Sequence, residues 1–384
     1  MIALEGIDDS DLLTQTKNLI KVRKVLVANS GYINICFSSN KIPAFINYAI
    51  QSEYPFLQLE SSWILVALCS GSTINTQQLV KSNVLEIFIG LCSSNYEEIV
   101  EQGIWGIGNI AGDCLELRNK VIKSNAIEVL DQLYLKSNKQ DVRDLILWVF
   151  TNITRVKSTT EPDINKITKV LKYLRDGFSQ TTNLETPGDI LGGIENYLSQ
   201  QYLELFYDEI FVKQLYFYYN SLLSNIYVNR FQIAICNKIL GAFTGTTTEA
   251  TDLILKFNFL EIMAKLLNSK NDAFKIQICF IVSNIVAGNE LQQQTVLANN
   301  YIMENIIELV YSNSTEISRE ATIVLCNLYS TKNFNNFLAV CSYINPINFF
   351  IHNLNNNTDV KKLIIVLETF MNVCYLYENQ SNEK

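Results

Sequence analysis

Histidine is almost missing from this chain, which has one in 384 residues, His352. General-base, catalytic-triad and zinc constellations lean on imidazole, so its scarcity excludes most ordinary ways of building an active site. In its setting, FFIHNL, it reads as a core or helix-end histidine. Chain breakers are equally scarce, with 5 prolines and 15 glycines, which favours helix and argues against a strand-and-turn protein. The nine cysteines (Cys36, Cys69, Cys92, Cys114, Cys236, Cys279, Cys326, Cys341 and Cys374) contain no CxxC pair. They lie in apolar runs such as IQICFIV and IVLCNLY, which marks them as reduced core thiols of a cytosolic or nuclear protein and leaves no metal site. The opening MIALEGIDDSDLL is acidic where a secretory signal is basic, and no apolar run is long enough to span a bilayer. Basic residues are outnumbered, 30 Lys and Arg against 38 Asp and Glu, for a net charge of −8. A surface that follows phosphates needs clustered cations, so nucleic acid and membrane are excluded as partners and a cationic partner fits.

What the chain does have is a repeat. The segments SWILVALCSGS, IWGIGNIAGDC, LWVFTNITRVK, ICFIVSNIVAG, TIVLCNLYSTK and LETFMNVCYLY share an apolar helix, an Asn in most copies, and a small-residue turn. They place Ala67, Asn109, Asn152, Asn284, Asn327 and Asn372 in register, with weaker copies at Tyr197 and Gly241. The eight positions are separated by 42 to 45 residues. Each copy reads as a short helix, a second helix with apolar residues at i, i+3, i+4 and i+7 (Ala126, Val129, Leu130, Leu133), and a longer third helix. This is the armadillo or HEAT period. One more unit in residues 8–50 gives about nine three-helix repeats. The expectation is therefore one all-α domain over 1–384, a solenoid with a long concave surface lined by one helix per repeat rather than an active-site pocket.

The third helix carries the informative residues. Trp63, Trp105 and Trp148 are the only tryptophans, and each stands four residues before the register position. Residues i and i+4 share a helix face, so Trp105 with Asn109, and Trp148 with Asn152, aim an indole and a carboxamide the same way. Facing the groove, the indoles would form slots for Lys or Arg stems, and the amides would clamp an extended peptide backbone. The competing reading puts the tryptophans in the core and makes the Asn ladder a structural device. Two features favour the groove. Gly103, Gly106 and Gly108 surround Trp105 at about 1 kcal/mol each against Ala, a cost that close approach by a ligand or a neighbouring helix would explain. Glu60, Glu101 and Asp113 flank the Trp positions, where they would hold the tips of basic side chains.

On these residues the chain resembles the armadillo domain of the importin-α family, adaptors that bind nuclear localisation signals. EQGIWGIGNIAGDCLELRNKVIKSNAIEVLDQL, residues 101–133, is similar to that family's third repeat almost throughout. LQLESSWILVALCSGSTINTQQLV resembles the second repeat and RDLILWVFTNITR the fourth, with weaker likeness from about Asp8 to Asn379. The resemblance implies an armadillo-repeat right-handed superhelical solenoid that uses no cofactor and has no enzymatic activity. It implies a major site for Lys/Arg-rich peptides, about residues 56–156, built from Trp63, Trp105, Asn109, Trp148 and Asn152. Gln102 would contact the peptide backbone, and a lysine pocket would be made of Gly71, Thr76 and Asp113. It implies a minor site, about 235–330, with Thr244, Gly245, Thr251, Phe280, Ser283, Asn284, Glu320 and Asn327. There Phe280 and Ile323 replace tryptophans. Elsewhere Ala67, Gly193, Asn237 and Gly241 replace the family's Asn, Trp, Arg and Asn, so the middle of the groove departs most.

The resemblance makes basic cargo proteins the expected partners and places the protein in cytoplasm and nucleus. The family's basic importin-β-binding segment would precede the first repeat, where this sequence begins, and its export-receptor region corresponds to a shortened YENQSNEK. Importin-β and an export receptor are thus expected only conditionally. A non-transport armadillo scaffold or chaperone for another basic protein is the alternative. The glycines of GIGNIAGD lie within a helical repeat rather than after a strand and fail the dinucleotide context.

Overall fold

A computed structural model describes residues 4, 6–7, 11–155, 163–180, 186–198, 200–355 and 359–382. The described residues are helical with no strand among them. The third helices of the repeats are α1 (Leu12–Ala28), α2 (Pro55–Leu68), α3 (Glu97–Asp113), α4 (Gln140–Thr154), α5 (Thr186–Glu195), α6 (Arg230–Thr244), α7 (Asp272–Val286), α8 (Thr315–Tyr329) and α9 (Val360–Asn382). Their first residues stand 42 to 46 positions apart, which is the period of the sequence. The chain divides into two compact units, Met1–Tyr197 and Leu198–Lys384. The first holds α1 to α5 and the second α6 to α9.

Within each unit the third helices pack on one another. In the first, α3 lies against α2 and α4, and in the second α7 lies against α6 and α8. The shorter helices Thr73–Lys81 and Val84–Leu91 precede α3, and Thr248–Lys256 and Phe259–Leu267 precede α7 in the same order. The apolar stripe of α3 explains its placement. Ile99, Ile104, Ile107 and Ile110 recur at helical spacing and are buried, while Glu97 and Glu98 occupy its first turn, where the helix dipole favours negative charge.

Scarce glycine is offset by asparagine. The tight turns into Val84–Leu91 and Phe259–Leu267 run through left-handed Asn83 and Asn258, with φ of 61° and 58°, and Asn40 is also left-handed at 55°. Asn tolerates this region better than other side chains do. Glycine is spent instead inside α3. A Cβ on Gly103 would stand 2.6 Å from the Phe88 carbonyl, one on Gly106 2.3 Å from the Phe88 ring, and one on Gly108 2.0 Å from the Trp148 indole. Neighbouring helices therefore account for the glycine-rich stretch, and no ligand is needed to explain it.

His352 takes the helix-end position, in the last turn of the helix Pro346–Asn355. Its ring packs on Tyr311 with centroids 4.4 Å apart, and burial holds its pKa below the usual imidazole value. The cysteines are free; six are buried and two intermediate, but Cys374 is exposed on α9 and is not a core thiol. Burial pushes the Cys36 thiol up to about 11 and those of Cys92, Cys279 and Cys326 to about 12. Among the described residues no helix is long and apolar enough to cross a membrane.

Candidate peptide-binding site

The first unit contains a cavity of about 390 Å³ where α3 and α4 meet the turn after α2, lined by residues that include Gly71, Asn109, Asp113, Trp148, Asn152 and Arg155. Asp113 closes α3, at the end of a helix where the dipole is negative and a carboxylate is poorly placed. One oxygen, Oδ2, accepts a hydrogen bond of 2.7 Å from Thr76 Oγ1. The other, Oδ1, is buried and has no hydrogen-bond partner among the described residues. An ionised oxygen left this way is costly, and a cation entering the cavity would remove the cost. Thr76 is fully buried in the first turns of Thr73–Lys81. Gly71 lies opposite, where a Cβ would press on Ile33, Asn75 and the Leu68 carbonyl at 3.0 to 3.2 Å. The Gly, Thr and Asp expected to form a lysine pocket thus sit around one cavity, although only Gly71 and Asp113 line it directly.

The tryptophans are not core residues. Trp63 is 38% and Trp105 42% exposed, and Trp148 is half-buried. The three indoles nevertheless do not make a row of open slots. Trp105 and Trp148 touch, with ring centroids 4.8 Å apart at 52°. An aliphatic stem between two rings needs roughly 7–8 Å, two carbon contacts of ordinary length. The sandwich expected there is closed, and the pair instead offers a joint apolar platform. Trp63 is covered by Arg23 of α1, whose guanidinium carbon lies 4.4 Å from the ring centroid. Arg23 also forms a fork with Glu60, at 2.5 Å from Nε and 3.2 Å from the second nitrogen. Glu60 therefore serves an internal cation rather than the tip of an incoming one.

The amide ladder does structural work. Asn109 Nδ2 donates to the Val66 carbonyl at 3.2 Å, Asn152 Nδ2 to Gly108 at 3.2 Å, and Asn327 Nδ2 to Ser283 at 3.1 Å. Each bond ties a third helix to the one before it, which is the role the competing reading gave the ladder. Asn109 and Asn152 still border the cavity beside Asp113. Gln102 is buried, and its Oε1 has no partner among the described residues. Glu101 is half-buried; its pKa is raised by burial and then by Glu97 and Glu98.

The corresponding residues of the second unit are brought together with different chemistry. Phe280 is half exposed and borders a cavity of about 530 Å³ with Asn237, Lys238, Gly241, Gln277 and Glu320. Glu320 accepts from Arg319 Nε at 3.2 Å, and Arg319 also reaches Asp359 at 3.2 Å. Thr251 and Ser283 are buried and bond to carbonyls of their own helices, at Thr247 and Phe280. Thr244 bonds likewise to Leu240 and also receives Asn284 Nδ2 at 3.5 Å. Gly245 lies against Asn284, 3.3 Å from where a Cβ would be. The position equivalent to Asp113, four residues after the ladder amide, is Gly288.

Two residues at the first site escaped the sequence pattern. Arg155 borders the Asp113 cavity, and Arg23 covers Trp63. A usable signal existed for Arg23: it precedes Glu60 by 37 positions, the same separation as Thr76 and Asp113.

Comparison with known proteins agrees with this architecture. The Armadillo/beta-catenin-like repeat model matches residues 72–112. Importin subunit alpha-1b of Oryza sativa subsp. japonica is 29% identical over 173 residues, 45% of this chain and 32% of that protein. Importin subunit alpha-2 of Arabidopsis thaliana is 28% identical over 44% of this chain and 31% of its own length. Importin subunit alpha-1a of Oryza sativa subsp. japonica is 25% identical over 76% of this chain and 54% of its own. The chain thus spans about a third of the first two relatives. Among solved structures, an engineered protein aligns over 97% of this chain and 88% of its own with a TM-score of 0.70 at 17% identity. A chain from a structure concerned with the interaction between cadherin and beta-catenin aligns over 97% of this chain and 83% of its own, at 0.65 and 10% identity. These two show the fold. The helical period, the matched repeat model and these two alignments make the fold an all-α armadillo-repeat fold, and the sequence is similar to importin alpha subunits over part of their length.

Proposed function

We propose that the chain is a nuclear import adaptor that binds Lys/Arg-rich nuclear localisation signals of cargo proteins and shuttles between cytoplasm and nucleus. The observation that carries this reading is Asp113 Oδ1, buried and without a hydrogen-bond partner among the described residues, beside the Asn109, Asn152 and Trp148 side chains. A lysine ammonium fits its chemistry. The stem of that lysine lies along the Trp105–Trp148 platform, and a neighbouring basic residue of the peptide uses its exposed part. The remaining amide capacity of Asn109 and Asn152 meets the peptide backbone. The curated relatives named importin subunit alpha support the import role, and the net charge of −8 supports a basic partner.

The test is titration of the purified chain with a labelled peptide containing a run of four or five Lys and Arg, and with a scrambled-charge control. Specific binding that weakens with salt and is lost in Asp113→Lys is expected. Binding indifferent to that substitution would refute the site. Co-precipitation of importin-β with the peptide-loaded chain separates an import adaptor from a scaffold for another basic protein.

A further inference from the structure

We infer that Arg23 is a resident occupant of the Trp63 cation site, so that the groove of the first unit reads a basic peptide through Trp105, Trp148 and Asp113 alone. This rests on the peptide-binding function proposed above and narrows it. Three observations carry it. The Arg23 guanidinium lies over the Trp63 ring at 4.4 Å, the position a cargo guanidinium or ammonium would seek. It is fixed there by the two-pronged bond to Glu60, with only 19% and 12% of the two side chains exposed. Glu60 stands three residues before Trp63 on α2, so both the apolar wall and the anion of this position are already used.

The contrast with Asp113 is direct. Its carboxylate oxygen is buried without a hydrogen-bond partner among the described residues, whereas Glu60 has a guanidinium on both oxygens. A planar guanidinium held by a fork is pre-organised. An incoming side chain must displace it and break the pair, so a basic residue of the peptide lying near Trp63 gains little. The consequence is a short recognition element: extending a basic peptide toward α1 adds almost no affinity, whereas shortening it at the Asp113 end removes most of it.

The indole N–H signals of the full chain, labelled with ¹⁵N tryptophan, give one resonance for each of the three tryptophans and so test the idea directly. In the wild type, a peptide with a long basic run is expected to shift the Trp105 and Trp148 signals and leave Trp63 in place. Arg23→Gln alone should move the Trp63 signal. In that variant the long peptide should shift all three signals and bind about five-fold tighter, while a three-residue basic core binds as before. Adding Trp63→Ala to Arg23→Gln should remove the gain. Arg23→Lys, which keeps the charge but loses the planar stack, should fall between. Circular dichroism verifies that each variant retains its helix.

A wild-type Trp63 signal that moves with peptide, or a long peptide bound no tighter by Arg23→Gln, would overturn the inference. If no basic peptide moves any indole signal in either protein, the proposed function fails. The cover of Trp63 is then judged by Arg23→Gln alone, and a Trp63 signal that stays put refutes it independently.

Discussion

The two units carry the same amide ladder beside acids in opposite states. In the first, Asn109 and Asn152 tie neighbouring helices beside a cavity whose Asp113 oxygen lacks a hydrogen-bond partner among the described residues. In the second, Asn327 makes the same tie, but the nearby acid, Glu320, is already paired with Arg319, and Gly288, four residues after Asn284, stands where Asp113 would be. The ladder is therefore architecture, present beside the Asp113 cavity and beside the paired Glu320 alike. What distinguishes the first unit is a carboxylate with one oxygen unpaired among the described residues, together with indoles that reach the surface. Different atoms therefore make the ladder and the proposed cation site, so either can change without the other.

The largest expected effect tests that division. Asp113→Ala should weaken binding of a Lys/Arg peptide by at least ~30-fold, the lower bound for truncating one partner of a buried charge pair. Glu320→Ala should change it less than about three-fold, since that carboxylate already has the Arg319 guanidinium as its partner and offers little to an incoming cation. Isothermal titration of the two variants makes the comparison, and equal losses would break it.

Next come Asn152→Ala and Asn327→Ala. Each removes a hydrogen bond to a carbonyl of the preceding repeat that also accepts within its own helix, and the net loss of one such bond costs about 0.5–1.5 kcal/mol. Chemical denaturation should show losses of similar size for the two variants. A loss confined to one of them would mean that the ladder is not a shared device.

Two smaller effects sharpen the contrast. Phe280→Trp restores an indole wall at an exposed position of the second unit. It should raise basic-peptide affinity there by about two- to five-fold if the stem of the cation is what the site lacks. An unchanged affinity would assign the weakness to Glu320's pairing instead. Glu101 lies one turn from Glu97, and its pKa is raised by burial and then by Glu97 and Glu98. Because its folded pKa exceeds its unfolded one, it favours the folded state at acid pH and loses that contribution as pH rises through the raised value. Glu101→Gln should therefore stabilise the chain at neutral pH by a few tenths of a kcal/mol, the size of a like-charge pair at i, i+4. The gain should disappear in acid, as melting curves at two pH values would show.

Much of this was legible in the sequence, and the residues show why. A period of 42 to 45 residues, the common offset of Trp63, Trp105 and Trp148, and the pairing of Thr76 with Asp113 depend on position along the chain. Position survives folding unchanged. The closed Trp105–Trp148 contact depends instead on side-chain packing one repeat away, where Gly108 leaves room for the Trp148 ring. Phe88 under Gly106 and Arg23 on Trp63 are of the same kind. Each joins residues about one period or less apart whose types alone do not announce a contact. Glu60 shows the hazard most clearly: its charge and place suggested a peptide contact, and an arginine from the preceding repeat had already taken it.

The central claim is that the Asp113 carboxylate is the cation site. The most direct measurement is the binding isotherm of a Lys-containing basic peptide to wild type and Asp113→Asn, an isosteric change that removes the charge and turns one acceptor oxygen into an amide donor. A loss of at least ~30-fold with the fold intact is the predicted result. Affinity within two-fold of wild type would contradict the claim.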